Sequence, residues 1–116
     1  MKVAYIAHPI AGDIDRNVNL ILSICKDINL SEHNTIPFAP YLVDVMAMDD
    51  TKKEERNRGM KNNAALFAKG FIDELRLYGP EISKGMQQEI DLAKQYDIPV
   101  FSMNIDKHLQ SLKVKK

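Results

Sequence analysis

Four short apolar runs alternate with stretches of helical periodicity along this chain, and that alternation restricts its fold more than any other feature. The runs are Val3–Ala7, Thr35–Phe38, Ile72–Tyr78 and Pro99–Met103. Each pair is separated by enough residues for a helical crossover, so the pattern predicts βαβ units and a parallel sheet. The first intervening helix is read near Asp15–Ile28, with Val18, Ile21, Cys25 and Ile28 on one stripe and Asp13 or Asp15 as its cap. A second helix covers about Lys53–Lys69, with Met60, Ala64, Phe67 and Ala68 on its buried side. Ser83 is a good N-cap for a third, running to about Tyr96 and buried through Met86, Ile90 and Ala93. Asp44–Glu55 is polar and acidic with interspersed methionines. It reads as a loop, either plain surface or a lid. Lys107–Val114 reads as a short final helix.

Crossovers between parallel strands are right-handed almost without exception. The expected product is an α/β, Rossmann-like (flavodoxin-like) three-layer sandwich with a four- to five-stranded parallel sheet and strand order 2-1-3-4. Residues 1–104 form its domain, and residues 105–116 are a C-terminal extension of that domain. A chain of 116 residues buries its own core without disulfides or metal. In open parallel sheets, ligands sit at the carboxyl ends of the strands near the switch in strand order. That rule nominates His8–Gly12, Pro40-Tyr41, Tyr78–Gly85 and Met103-Asn104. The third run fits less well, because Asp73–Tyr78 alternates charged with apolar residues where a covered parallel strand is nearly all apolar. Arg76 therefore needs a carboxylate partner or an oligomer surface.

Sixteen basic residues balance sixteen acidic ones. Apart from the short tail Lys113–Lys116 there is no basic stripe, which argues against a nucleic acid polymer as partner. Cys25 is the single cysteine, so there is no internal disulfide and no Cys-based zinc site. No stretch approaches the ~20 apolar residues that span a bilayer, and Pro9 cuts the opening apolar run short of a signal sequence. The expectation is a cytoplasmic protein with no membrane partner.

Two segments carry residues suited to chemistry. In Tyr5-Ile6-Ala7-His8-Pro9-Ile10-Ala11-Gly12, the glycine permits a tight turn before a helix N-terminus, which favours an anion. Asp13 and Asp15 bring negative charge to the same place, where they repel a phosphate and accept hydrogen bonds from sugar hydroxyls. A purely structural turn fits these residues as well. In Ser83-Lys84-Gly85-Met86-Gln87-Gln88-Glu89, the serine hydroxyl and first-turn amides suit a phosphate, with Lys84 adding charge. Gly85 opens space one turn before Glu89, which lies at the margin of the buried face. A carboxylate there attacks an anomeric carbon or stabilises an oxocarbenium-like centre, or is simply a solvated helix glutamate. His8 either stacks on or hydrogen-bonds a base, or acts as acid toward a leaving purine, or bonds a backbone group before Pro9. Tyr41 and Asn63 are further ligand candidates, and each is equally readable as packing or capping.

The pair Tyr5-Ile6-Ala7-x-Pro9-Ile10-x-Gly12 and Ser83-x-Gly85-x-x-x-Glu89-x-x-x-Ala93 resembles the nucleoside 2-deoxyribosyltransferase superfamily. Within it the chain is similar to the 2'-deoxynucleoside 5'-phosphate N-hydrolase branch and its small uncharacterised phage and bacterial relatives. The resemblance runs over roughly residues 2 to 103. It implies a site for a nucleoside- or nucleotide-like small molecule, with Glu89 as nucleophile or transition-state carboxylate, Tyr5 lining the sugar pocket and Ser83 at the 5'-phosphate. Pro9, Ile10, Gly12, Gly85 and Met86 would complete the binding residues, and a homo-oligomer, a dimer or larger, with no metal or other cofactor, is implied. Three positions depart from that branch. An aspartate on its second helix, about two turns before the third strand, has no counterpart among Asn62, Asn63, Ala64 and Ala65. Pro9 and Ala11 replace a serine and an arginine, and His8 stands where a small residue is common. Glu89 thus points to N-glycosidic cleavage, by a hydrolase or a deoxyribosyltransferase, whereas the missing aspartate points to a non-catalytic binder that sequesters or senses a nucleotide-derived metabolite.

Overall fold

A computed structural model of the protein describes residues 1–103. The expected helix Lys107–Val114, the 105–116 extension and Asn104 lie outside the described residues. The central strand is β1, Lys2–Ala7, and Ala4 to Ala7 are buried on both faces of the sheet. An uninterrupted apolar run suits that position because helices cover both sides of a parallel strand. The later strands are β2, Thr35–Phe38, then β3, Glu74–Leu77, and β4, Val100–Ser102. All pair in parallel, in the order β2-β1-β3-β4.

The helices are α1, Ile14–Ser31, then α2, Tyr41–Ala47, then α3, Lys53–Ala68, and α4, Lys84–Gln95. Asp13 is the cap of α1, accepting a hydrogen bond from the Arg16 amide at 3.2 Å. Side chains alternate across a strand, so β1 sorts them between two layers. Ala4 and Ile6 meet Ile24 and Ile28 of α1. Tyr5 and Ala7 meet Tyr41, Phe67, Met86 and Ala93 of the other three helices. Cys25 is half-buried and packs against both clusters. The product is a Rossmann-like three-layer α/β sandwich. No helix among the described residues is long and apolar enough to cross a membrane.

Two expectations change. The segment read as a loop over Asp44–Glu55 is helical at both ends, because α2 reaches Ala47 and α3 starts at Lys53. On α3 only Phe67 is buried, while Met60 and Ala68 are exposed. For Met60 the physical reason is that α3 borders an open cavity there, with Gly59, Met60 and Asn63; Ala68 is the last residue of α3 and lies past Phe67, outside the cavity. Arg76 finds carboxylates within its own chain. Its register partner is Ile6, so it lies on the α1 side, 4% exposed. There Glu32 takes both terminal nitrogens at 2.8 Å, and Glu74 accepts from Nε at 2.6 Å.

Candidate active site

A cavity of about 500 Å³ opens between α2, α3, α4 and the turn after β1, within the size range of small-molecule sites. Its floor is Glu89, only 8% exposed although its neighbours Gln88 and Asp91 are exposed. The Tyr5 hydroxyl donates a short hydrogen bond to Glu89 Oε2. No cation pairs with this carboxylate among the described residues, and Tyr5 is its one hydrogen-bond partner there. Burial pushes the Glu89 carboxyl up to about 7, and the Tyr5 hydrogen bond pulls it down only in part. Burial also holds the Tyr5 hydroxyl well above its ordinary range, helped by the charge of Glu89, so Tyr5 remains a donor.

Tyr5 itself is fully buried, its ring centroid 4.8 Å from that of Phe67 and 5.9 Å from that of Tyr41. It stands behind Glu89 and does not border the cavity, so it would act on a ligand through that carboxylate. Tyr41 borders the cavity from α2, while its hydroxyl donates to the Ile6 carbonyl at 2.5 Å. Two ring contacts and two tyrosine hydrogen bonds thus lock the floor.

The turn after β1 is held from below and from above. Asn17 donates to the Ile10 carbonyl at 2.9 Å. The Pro9 carbonyl lies 2.7 Å from His8 Nδ1, and an oxygen there requires the proton on that nitrogen. Gly79, at φ +100°, backs this turn: a Cβ there would sit 2.8 Å from Pro9 Cδ. Only glycine combines that backbone with so close an approach. His8 is buried and lines the cavity with Ile10. Pro9 and Gly12 do not line it; Pro9 is packed beneath the turn and Gly12 is exposed.

Ser83, Gly85 and Met86 bring the first turn of α4 to the opposite wall. Ser83 Oγ accepts from the Met86 amide at 3.2 Å, so this hydroxyl is already employed as the cap. Nothing nearer than Ser83 Oγ, at 4.0 Å, would meet a Cβ at Gly85, which leaves the space before Glu89 open. Asn63 also lines the cavity, and its Oδ1 is buried with no hydrogen-bond partner among the described residues.

Asp44 is the residue that sequence reading missed. It reaches the cavity from α2, and its charge is felt at the Tyr5 hydroxyl. A second carboxylate therefore faces the site, supplied by a different element from the one inspected for it. The signal lay in Tyr41, Asp44, Val45 and Met48, which recur at the i, i+3, i+4, i+7 spacing of one helix face. Asp50, Glu55 and Arg56 join it along the rim.

No curated protein and no solved structure matches the chain. A family model matches residues 2–103, nearly all of the chain and the whole of the fold just described. The chain belongs to that family, described as a domain of unknown function, DUF7768.

Proposed function

We propose that this protein binds a nucleoside- or nucleotide-like small molecule in the cavity and cleaves its N-glycosidic bond, with Glu89 as nucleophile or transition-state carboxylate. One arrangement carries this reading. A buried carboxylate, unpaired by any cation among the described residues and oriented by a tyrosine hydroxyl, forms the floor of a cavity of ligand size. Keeping an ionisable group there costs stability, and such groups concentrate where chemistry is done. A carboxylate suits the oxocarbenium-like charge that develops at an anomeric carbon. The likeness of the Tyr5–Gly12 and Ser83–Ala93 segments to the nucleoside 2-deoxyribosyltransferase superfamily supports the same reading. In it, His8 contacts the base, the α4 N-terminus receives a phosphate where the ligand has one, and Tyr5 orients Glu89. The proposal extends to a cytoplasmic homo-oligomer.

The test is to incubate the full chain with deoxynucleoside monophosphates, ribonucleotides and ADP-ribose-like compounds, following free base by chromatography and thermal stability in parallel. Base release that falls on the order of 10³-fold or more in Glu89→Ala is the expected result. Stabilisation without release over long incubation would make the protein a binder. Neither release nor stabilisation would overturn the reading.

A further inference from the structure

The walls of the cavity differ in sign. On one side stands the N-terminus of α4, a helix of 12 residues, with Lys84 in its first turn and no acidic residue there. Aligned peptide dipoles add positive character at such an end. On the other side, α2, the connection after it and the first half of α3 present Asp44, Asp50 and Glu55 beside Arg56. Glu55 is partly engaged, 4.0 Å from Lys52 Nζ and accepting from the Asp49 amide at 3.2 Å, which leaves Asp44 and Asp50 as the carboxylates without an ion pair among the described residues. Asp44 Oδ2 accepts one hydrogen bond, from the neutral Asn62 amide at 3.3 Å. Beside Asn62 on α3, Asn63 Oδ1 is buried without a partner among the described residues, although buried acceptors are satisfied in folded proteins with few exceptions. Among the described residues no three His, Cys, Asp or Glu side chains gather closely enough to hold a metal ion. The acidic wall is thus spread out, as suits a flat organic group bearing donors or positive charge.

Resting on the function proposed above, we infer that the substrate is an N-glycoside whose aglycone carries a fixed positive charge, of the pyridinium or N-alkylated purine kind. The aglycone lies against the α2–α3 wall, and any phosphate lies at the start of α4. The chemistry matches the residues at hand. A neutral base departs from an anomeric carbon with a proton delivered to it, whereas a cationic one requires none. The Glu89 carboxylate attacks C1′ and the C1′–N bond breaks. Its electron pair passes to the ring nitrogen and cancels the positive charge, so the aglycone leaves neutral. Water then attacks C1′ of the glycosyl ester, the ester C1′–O bond breaks, Glu89 returns as carboxylate, and the water's second proton passes to solvent.

The experiment compares nicotinamide riboside, nicotinamide mononucleotide and 7-methylguanosine with inosine and deoxyadenosine monophosphate, measuring base released by the full chain. After division by each compound's uncatalysed rate, kcat/KM is expected to favour the cationic aglycones by about 100-fold. Asp44→Asn should shrink that ratio, lowering kcat/KM for the cationic aglycones more than for the neutral ones. Asp50→Asn, at the rim, repeats the test without touching the Asp44–Asn62 hydrogen bond. Glu89-dependent release of neutral bases at an equal corrected rate would overturn this inference and leave the proposed function standing. An unchanged ratio in both aspartate variants would overturn the placement of the aglycone. Absence of release from every compound would overturn both proposals.

Discussion

A glutamate is buried on each side of this sheet, and the two are held in opposite ways. Glu74, on the α1 side, lies between Arg76 Nε at 2.6 Å and Lys2 Nζ at 2.9 Å. Burial pushes its carboxyl up, yet the hydrogen bonds to Arg76 and Lys2 outweigh that and leave it below its ordinary value. Glu89, on the other side, has a phenol for company and is pushed up to about 7. The first carboxylate is neutralised by its own fold, which leaves it nothing to offer a ligand. The second has no counter-charge among the described residues, and at the floor of an open cavity it holds its proton to a higher pH than a free carboxyl does. A carboxylate kept in that condition contributes little to folding at neutral pH, and its use lies with whatever enters the cavity.

Removing Arg76 should break the first arrangement most severely. Arg76→Ala leaves Glu32 without its cation and Glu74 with Lys2 alone, and the expected loss is about 3 kcal/mol of unfolding free energy. Chemical denaturation measures it, and base release per folded molecule should be unchanged.

The pH dependence of stability separates the two glutamates next. Glu89 titrates at about 7 in the fold against an ordinary 4.5, so the native state holds a proton that the unfolded chain has lost. Its contribution is full below pH 4.5 and is lost as pH rises through 7, a change on the order of 3 kcal/mol. Glu74 and Glu32 are both lowered, Glu32 chiefly by its hydrogen bonds to Arg76. Their contribution is present above the ordinary carboxylate value and is lost as pH falls through their folded values. Glu89→Gln should therefore flatten the fall in stability between pH 5 and 8 while leaving the acid limb intact, as denaturation curves across that range will show.

Tyr5→Phe sharpens the comparison at the site itself. Without the hydroxyl, burial acts on Glu89 unopposed, and its carboxyl rises further. The acidic limb of the base-release profile should move to higher pH, with a rate loss of about tenfold, the scale of one hydrogen bond to a charged group. Gly85→Ala should have the smallest effect on the fold. Exchanging glycine for alanine within a helix adds at most about 0.5–1 kcal/mol of stability, while the new methyl group intrudes on the space before Glu89. Thermal denaturation should show the slight gain, and substrate saturation curves a higher KM.

Much of this was legible along the chain. The apolar runs identified all four strands, and Asp13 and Ser83 announced the helices that they cap, because a short side-chain oxygen serves amides only two or three residues away. Segment 41–47 was not legible as a helix, since its acidic and methionine content masked a short apolar period facing Tyr5 and the cavity. Met60 misled for a related reason. Periodicity marks the face that turns inward without saying whether core or open cavity lies beneath it.

What the amino-acid order determined by itself is therefore local: where strands and helices run, where they are capped, and that Ser83, Gly85 and Glu89 share the beginning of one helix. Tertiary structure alone decided which carboxylates are neutralised and which are not. The Tyr5–Glu89 contact joins residues 84 apart, and Arg76 reaches Glu32 across 44. Neither pairing has a periodicity to betray it, because both depend on which strands lie side by side and which face of each helix is turned inward. The environment that pushes the Glu89 carboxyl up is created by desolvation, and desolvation is a property of the packed molecule.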